Sequence, residues 1–175
     1  NRTERFSKVV FDDKVVQDSV NELTEETLET MEEYTNIALF GLDTRQAGSL
    51  GKGNRSDTIM VASINNETKD VKIISIYRDS YLNLANDKYR KCNEAYSIGG
   101  PEQAVAMLNM NLDLKIDHYM SVDFLAVSEV VDLLGGIEIE VSKEEAAEMN
   151  RHIVGTAQSV GSKKTYYMKA GLQTL

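Results

Sequence analysis

The chain has one cysteine, Cys92, no tryptophan, and only two histidines, His118 and His152. A single thiol excludes an internal disulfide and a Cys-based zinc site. Two histidines give poor support to a His-built metal site or a Ser-His-Asp triad. Cys92 stands in "KYRKCNEAY" with no histidine beside it, and reads as a small buried residue rather than a nucleophile. No apolar run approaches the roughly 18–20 residues that span a bilayer. Positive charge is also scarce: 19 Lys+Arg against 28 Asp+Glu leave a net charge of −9. A nucleic-acid binder needs a basic face to displace counterions from phosphates, so no nucleic-acid partner is expected. An anionic ligand must then be gripped by a local cluster of cations or through a metal.

What is present suits one soluble domain: 175 residues, 42% apolar and 27% charged. The opening "NRTERFSK", without Met or a signal sequence, reads as the start of an excised or processed piece. Residues 8–34 predict a helix, with Val9, Val10, Val16, Val20, Leu23 and Leu28 at near-helical spacing and glutamates on the far side. "NIALFGL" (36–42), "TIMVASI" (58–64) and "VKIISIY" (71–77) predict strands, the first two nearly continuous apolar runs. The polar turn "NNETKD" (65–70) makes the last two a hairpin. Gly100-Pro101 opens a helix with the buried stripe Val105, Leu108 and Leu112. "HYMSVDF" (118–124) predicts a strand. Phe124, Val127, Val131 and Leu134 mark an amphipathic helix closed by Gly135-Gly136. "IEIEV" (137–141) is an alternating strand with one wet face, and Ser142 with Glu145 makes a capping box for a short helix. Helices interleaved with strands predict a three-layer α/β/α sandwich around a central mixed β-sheet.

Three polar clusters punctuate the strands: "LDTR" (42–45), "RSDT" (55–58) and "YRDS" (77–80). With antiparallel neighbours, they gather Asp43, Arg45, Arg55, Asp57, Arg78 and Asp79 at one sheet edge. Strand ends meet water and carry charges for that reason alone, and ion pairs there contribute little. Three coincident clusters, one joined to a glycine-rich loop, weigh as much toward a site as toward solvated strand ends. The chemistry such a set suits is phosphoryl transfer, since arginines clamp phosphate oxygens bidentately and two carboxylates can hold a Mg²⁺ that bridges to phosphates. "GSLGKGNRS" lacks Walker spacing and leads into no helix.

The motifs "IALFGLDTR", "RSDTIMVASIN", "ISIYRDSYL", "KCNEAYSIGGPEQAV", "DHYMSVDF" and "VVDLLGGIEIEV" stand in the order found in the LytR-CpsA-Psr family, which this chain resembles. The likeness runs from about residue 36 to 142 and continues weakly through "YYMKAGLQTL". It implies an N-terminal helical segment over 1–34 and a catalytic domain over 35–175. It also implies an enzyme on the outer face of the cell membrane of Gram-positive bacteria, held by an N-terminal anchor absent from this chain. Such enzymes move an anionic glycopolymer, teichoic acid or capsule, from an undecaprenyl-pyrophosphate carrier to peptidoglycan. Carried over by position, Asp43 and Asp57 match the Mg²⁺ carboxylates, and Arg55 and Arg78 the phosphate-gripping arginines. Asp79 is the candidate for positioning or deprotonating the acceptor hydroxyl, with Arg45 as a supporting substrate contact. Lys91, Asn93 and Tyr96 match a motif lining the same pocket. Tyr77 stands where the family generally has proline. The family's later arginine-rich motif is expected beyond Leu175, so this piece is expected to bind lipid pyrophosphate and to turn over slowly. The apolar stripes Val105/Leu108/Leu112 and Phe124/Val127/Val131/Leu134 are either core or the lining of a lipid pocket. A non-catalytic module that binds polyprenyl phosphates or wall polymers is the rival reading. A transcriptional regulator is disfavoured by the acidic charge and the lack of a basic helix-turn-helix pattern.

Overall fold

The computed structural model describes residues 24–44, 49–159, 165 and 167–174. They fall into two compact units, Asn1–Gly41 with Gly51–Ser121, and Leu42–Leu50 with Val122–Leu175.

The first unit is organised by a four-stranded sheet in the order β3-β2-β1-β6. Its strands are β1 (Tyr34–Leu42), β2 (Ser56–Asn65), β3 (Val71–Ile76) and β6 (His118–Val122). A short helix, α1 (Glu25–Glu32), leads in, and the Thr24 side chain caps it by accepting from the Thr27 amide. The helix expected over 8–34 is thus seen only to Glu32, because Tyr34 and Thr35 already belong to β1; its residues 8–23 lie outside the described residues. Two contacts set β1 and β2 antiparallel. The Asn66 amide, just past β2, donates to the Glu33 carbonyl just before β1 at 2.8 Å. At the other end, a Cβ on Gly41 would meet Thr58 Cβ at 2.9 Å, so the close approach needs glycine.

β2 and β3 form the expected hairpin, antiparallel with Ile59 opposite Ile76 and Ile64 opposite Val71. Asn65 fixes its turn: its Oδ1 accepts from the amides of Glu67 and Thr68 at 2.9 and 2.8 Å. The core of the unit sets Ala38, Phe40, Ile59 and Val61 with Ala104, Val105 and Leu108 of α2 (Glu94–Leu112), all buried. Gly100 interrupts α2 with φ 78°, reachable without strain only by glycine, and Pro101 restarts it. Leu112 departs from its expected place in the stripe. It is 37% exposed at the last turn, where Asp113 takes a left-handed cap. A second hairpin, β4 (Tyr81–Asn83) and β5 (Tyr89–Lys91), joins β3 to α2.

In the second unit, α3 (Phe124–Leu133) begins where Asp123 Oδ1 accepts from the Ala126 amide at 2.8 Å. That cap ends β6 at Val122, so Asp123 and Phe124 are not strand residues as "HYMSVDF" suggested. Gly135 and Gly136, at φ 86° and 91°, close α3, with the Gly136 amide donating to the Val131 carbonyl. No α3 residue is buried. The stripe Phe124, Val127 and Leu134 is 53, 50 and 77% exposed, so it is not core within this unit. β7 (Glu138–Val141) pairs antiparallel with β8 (Gly171–Thr174) in a sheet of its own. The Ser142–Glu145 capping box forms, and its hydrogen bonds hold the Glu145 carboxyl below the usual range. The helix it starts, α4 (Lys143–Ser159), has 17 residues rather than being short, sustained by Ala146 packing with Val141 and Met168.

Alternating strands and helices with a central mixed sheet make this an α/β fold, as the sequence pattern implied. Within the first unit the most constrained polar group is Asn109, fully buried. Its Nδ2 donates to the Ile116 carbonyl at 3.1 Å and its Oδ1 accepts from the Ile116 amide at 2.8 Å. It thereby pins the end of α2 to the chain entering β6. Asn109→Ala strands two buried backbone groups and is expected to destabilise the protein by about 2–4 kcal/mol. Urea denaturation of the variant measures this; a loss under about 0.5 kcal/mol would show the pair to be dispensable.

Candidate functional site

The β2–β3 register decides where the charges go. Ile59 faces Ile76, and two more steps along each strand set Asp57 opposite Arg78. Arg78 Nη1 donates to Asp57 Oδ2 at 2.7 Å, both side chains partly exposed at 52 and 35%. Arg55 lies two residues upstream, exposed, with no ion pair among the described residues. Between them Ser56 is fully buried.

The turn after β3 is gripped from the far side by the residues that open α2. The Cys92 amide donates to the Ser80 carbonyl at 2.8 Å, and the Asn93 amide to the Arg78 carbonyl at 3.2 Å. Cys92 Sγ donates to the Tyr77 and Arg78 carbonyls at 3.1 and 3.3 Å. Lys91 Nζ donates to Asp79 Oδ1 at 2.9 Å. Hydrogen bonding by Lys91 is the main cause that holds the Asp79 carboxyl below the usual carboxylate range. Asp79 is therefore an ionised acceptor at neutral pH. The motifs "YRDS" and "KCN", which sequence order alone keeps apart, are one structural element. On the other flank the Gly53 amide donates to the Ser97 carbonyl at 3.0 Å, tying the glycine loop to α2.

The rim sums to three cations, Arg55, Arg78 and Lys91, against two carboxylates, Asp57 and Asp79, in a chain of net charge −9. Two buried oxygens near it, Ser56 Oγ and Asn93 Oδ1, have no hydrogen-bond partner among the described residues. Buried polar atoms normally find one, and each exception calls for a physical explanation. Sequence reasoning missed Ser56, although it stands in the middle of "RSDT". A depression of about 280 Å³ in the second unit is lined by Glu140, Glu145 and Glu148 with Ile139, Val141 and Met149. Its carboxylates repel anions, so the rim is the phosphate candidate.

Of the nine residues singled out from sequence, the structure brings Asp57, Arg78, Asp79 and Lys91 into direct pairs, with Asn93 bonded to Arg78 through its backbone. Tyr96 is fully buried. Its hydroxyl shares a 2.8 Å hydrogen bond with Ser121 Oγ, and its ring meets Phe40 edge-on at 5.3 Å. It packs the core of the first unit, and burial pushes its hydroxyl pKa up. Asp43 is exposed and belongs to the second unit. Arg45 lies outside the described residues. Among the described residues no three Asp, Glu, His or Cys side chains cluster to hold a metal. Mg²⁺ does not require such a cage, because it commonly takes one or two carboxylates plus substrate phosphates. Asp57 fits that role, since Arg78 engages only one of its oxygens.

The LytR_cpsA_psr family model matches residues 6–175. A polyisoprenyl-teichoic acid–peptidoglycan teichoic acid transferase, TagU, of Enterococcus faecalis is 35% identical over 105 residues, covering 59% of this chain and 34% of the relative. The TagU of Bacillus cereus is 30% identical over 139 residues, covering 75% and 44%. The chain thus spans less than half the length of these curated relatives. A solved structure of the LytR-CPS2A-psr family protein YwtF (TagT), with bound octaprenyl pyrophosphate lipid, has the same fold. Its TM-score is 0.58 at 24% identity, covering 89% of this chain and 56% of that one.

Two measurements check this geometry. Asp79 is expected to titrate below the ordinary carboxylate range by NMR, and Lys91→Ala to return it upward. A depressed carboxyl contributes its ion pair above its unfolded pKa and loses it as pH falls through the folded value, so the pair should persist at neutral pH and open only in acid. An unchanged Asp79 midpoint in Lys91→Ala would dismiss the pairing. Cys92 is fully buried, and burial raises its thiol pKa. The native protein should therefore resist thiol reagents until it is unfolded; rapid native labelling would contradict that.

Proposed function

The chain belongs to the LytR-CpsA-Psr family, and from that premise we propose that it transfers an anionic glycopolymer from a polyprenyl-pyrophosphate carrier to a hydroxyl of peptidoglycan. The observation that carries the reading is the Arg78 rim, a net-cationic cluster on one sheet edge of a very acidic protein. The teichoic acid transferases it resembles supply the reaction class, and the octaprenyl pyrophosphate held by a protein of the same fold supplies the donor. Attachment to the outer face of the cell membrane through an N-terminal anchor belongs to the same proposal. No helix among the described residues is long and apolar enough to cross a membrane.

In this reading Arg55 and Arg78 bind the pyrophosphate oxygens through charge-assisted hydrogen bonds. Bound Mg²⁺, with Asp57 as a carboxylate ligand, would add charge neutralisation on the phosphates. The acceptor hydroxyl oxygen attacks the phosphorus that carries the polymer, and the bond from that phosphorus to the bridging oxygen breaks. Polyprenyl phosphate leaves with the electron pair, and Asp79 accepts the hydroxyl proton. Lys91 keeps Asp79 ionised and aimed.

The test is release of polyprenyl phosphate from a polyprenyl-pyrophosphate-linked glycan, with peptidoglycan fragments, with and without Mg²⁺. Release that needs both the acceptor and the intact rim is expected. Asp79→Asn should lower transfer by roughly a hundredfold or more while donor binding is kept, the scale for losing a positioned base. Donor binding without release in any condition would favour the non-catalytic module instead.

A further inference from the structure

The polar rim does not end at Asp79. Two residues on, Tyr81 opens β4 and is 72% exposed; Tyr89, across the hairpin on β5, is 57% exposed. The register sets Tyr81 opposite Lys91 and Asn83 opposite Tyr89. Side chains alternate along each strand, so Tyr81, Tyr89 and Lys91 share one face, while Leu82 and Leu84 turn to the other, where Leu84 is fully buried. The two rings are 6.1 Å apart and inclined by 31°. Since Lys91 binds Asp79 at 2.9 Å, this aromatic face continues directly from the charged rim. Lys91 is the strand cation on this face and pairs with Asp79, while Arg90 turns to the Leu82 face and pairs with Glu94 at 3.4 Å. Aromatic rings left together in water beside a charged rim mark a binding surface rather than a solvated turn.

We propose that the Tyr81–Tyr89 face seats the acceptor glycan strand, a chain of N-acetylated amino sugars bearing carboxylates. The inference rests on the transfer reading above and adds where the second substrate lies. A pyranose presents a flat face of C–H bonds that rests on the π face of an aromatic ring, and the phenol hydroxyls bond to sugar hydroxyls at the ring edge. Two inclined rings one sugar step apart match consecutive, mutually rotated sugars better than they match a single flat ligand. A prenyl chain would instead strand two phenol hydroxyls, and a nucleic acid would meet a protein of net charge −9. Along the surface the order is then phosphate at Arg78, hydroxyl at Asp79, and the sugar that carries the hydroxyl at Tyr81 and Tyr89.

Calorimetric titration of soluble peptidoglycan glycan fragments into the whole chain tests the proposal, with octaprenyl pyrophosphate titrated in parallel. Tyr81→Ala and Tyr89→Ala are each expected to weaken fragment binding about tenfold. Tyr81→Phe and Tyr89→Phe should retain most of the affinity, because the rings remain. Octaprenyl pyrophosphate affinity should be unchanged in all four, and Tyr167→Ala, an exposed tyrosine of the second unit, should change neither. Should the alanine variants lose the fold, ring resonances of the unaltered protein decide: fragments must shift Tyr81 and Tyr89. Fragment binding that ignores both alanine variants, or that shifts other rings only, overturns the proposal. Lipid pyrophosphate binding without any fragment binding overturns it alone. Fragment binding at these rings without lipid binding leaves the glycan seat standing and removes the transfer reading instead.

Discussion

The register of the β2–β3 hairpin is the constraint on which the rim depends. Ile59 opposite Ile76 makes Asp57 the neighbour of Arg78, and a slip of one residue would send each side chain to the other face. Two features hold that register. The Asn65 side chain fixes the turn at one end, and buried Ile59 and Val61 must stay on the core side. The ion pair itself contributes little to stability, since exposed pairs are generally worth about 0.2–1 kcal/mol. Its worth is positional: it aims a guanidinium that keeps further donors free for a ligand.

Rigidity at the rim comes from backbone bonds rather than from charge. Cys92 and Asn93 bind the 77–80 turn through their amides, and the buried thiol of Cys92 adds two weaker contacts to its carbonyls. An apolar-sized residue at position 92 can fill the space, while a charged one cannot. The first unit thus presents Arg78 and Asp79 from a turn held by the start of α2, with Lys91 reaching Asp79 from β5. That is what a site needs if it is to meet charge without reorganising.

Much of this was legible in the sequence. The strand periods, the Asn-rich turn, the glycine and proline signals at 100–101, and the Ser142–Glu145 box all act locally, so a short window contains their physics. The convergence of "RSDT" and "YRDS" was also legible, because an antiparallel hairpin needs only strand lengths to set its ends together. The burial of Tyr96 was not, since "KCNEAY" reads the same whether the ring faces a pocket or Phe40. Nor was the exposure of Phe124, Val127 and Leu134, because helical spacing identifies an apolar stripe without saying what covers it. The pairing of Lys91 with Asp79 depends on a second hairpin too short to announce itself by periodicity.

Arg78 serves phosphate binding rather than folding. Isothermal titration of octaprenyl pyrophosphate against Arg78→Ala, with thermal unfolding of the same protein, separates the two roles. Affinity is expected to fall about tenfold to a hundredfold, the effect of losing one charge-assisted contact, while stability changes by no more than about 1 kcal/mol. Unchanged affinity, or a variant that no longer folds, would contradict it.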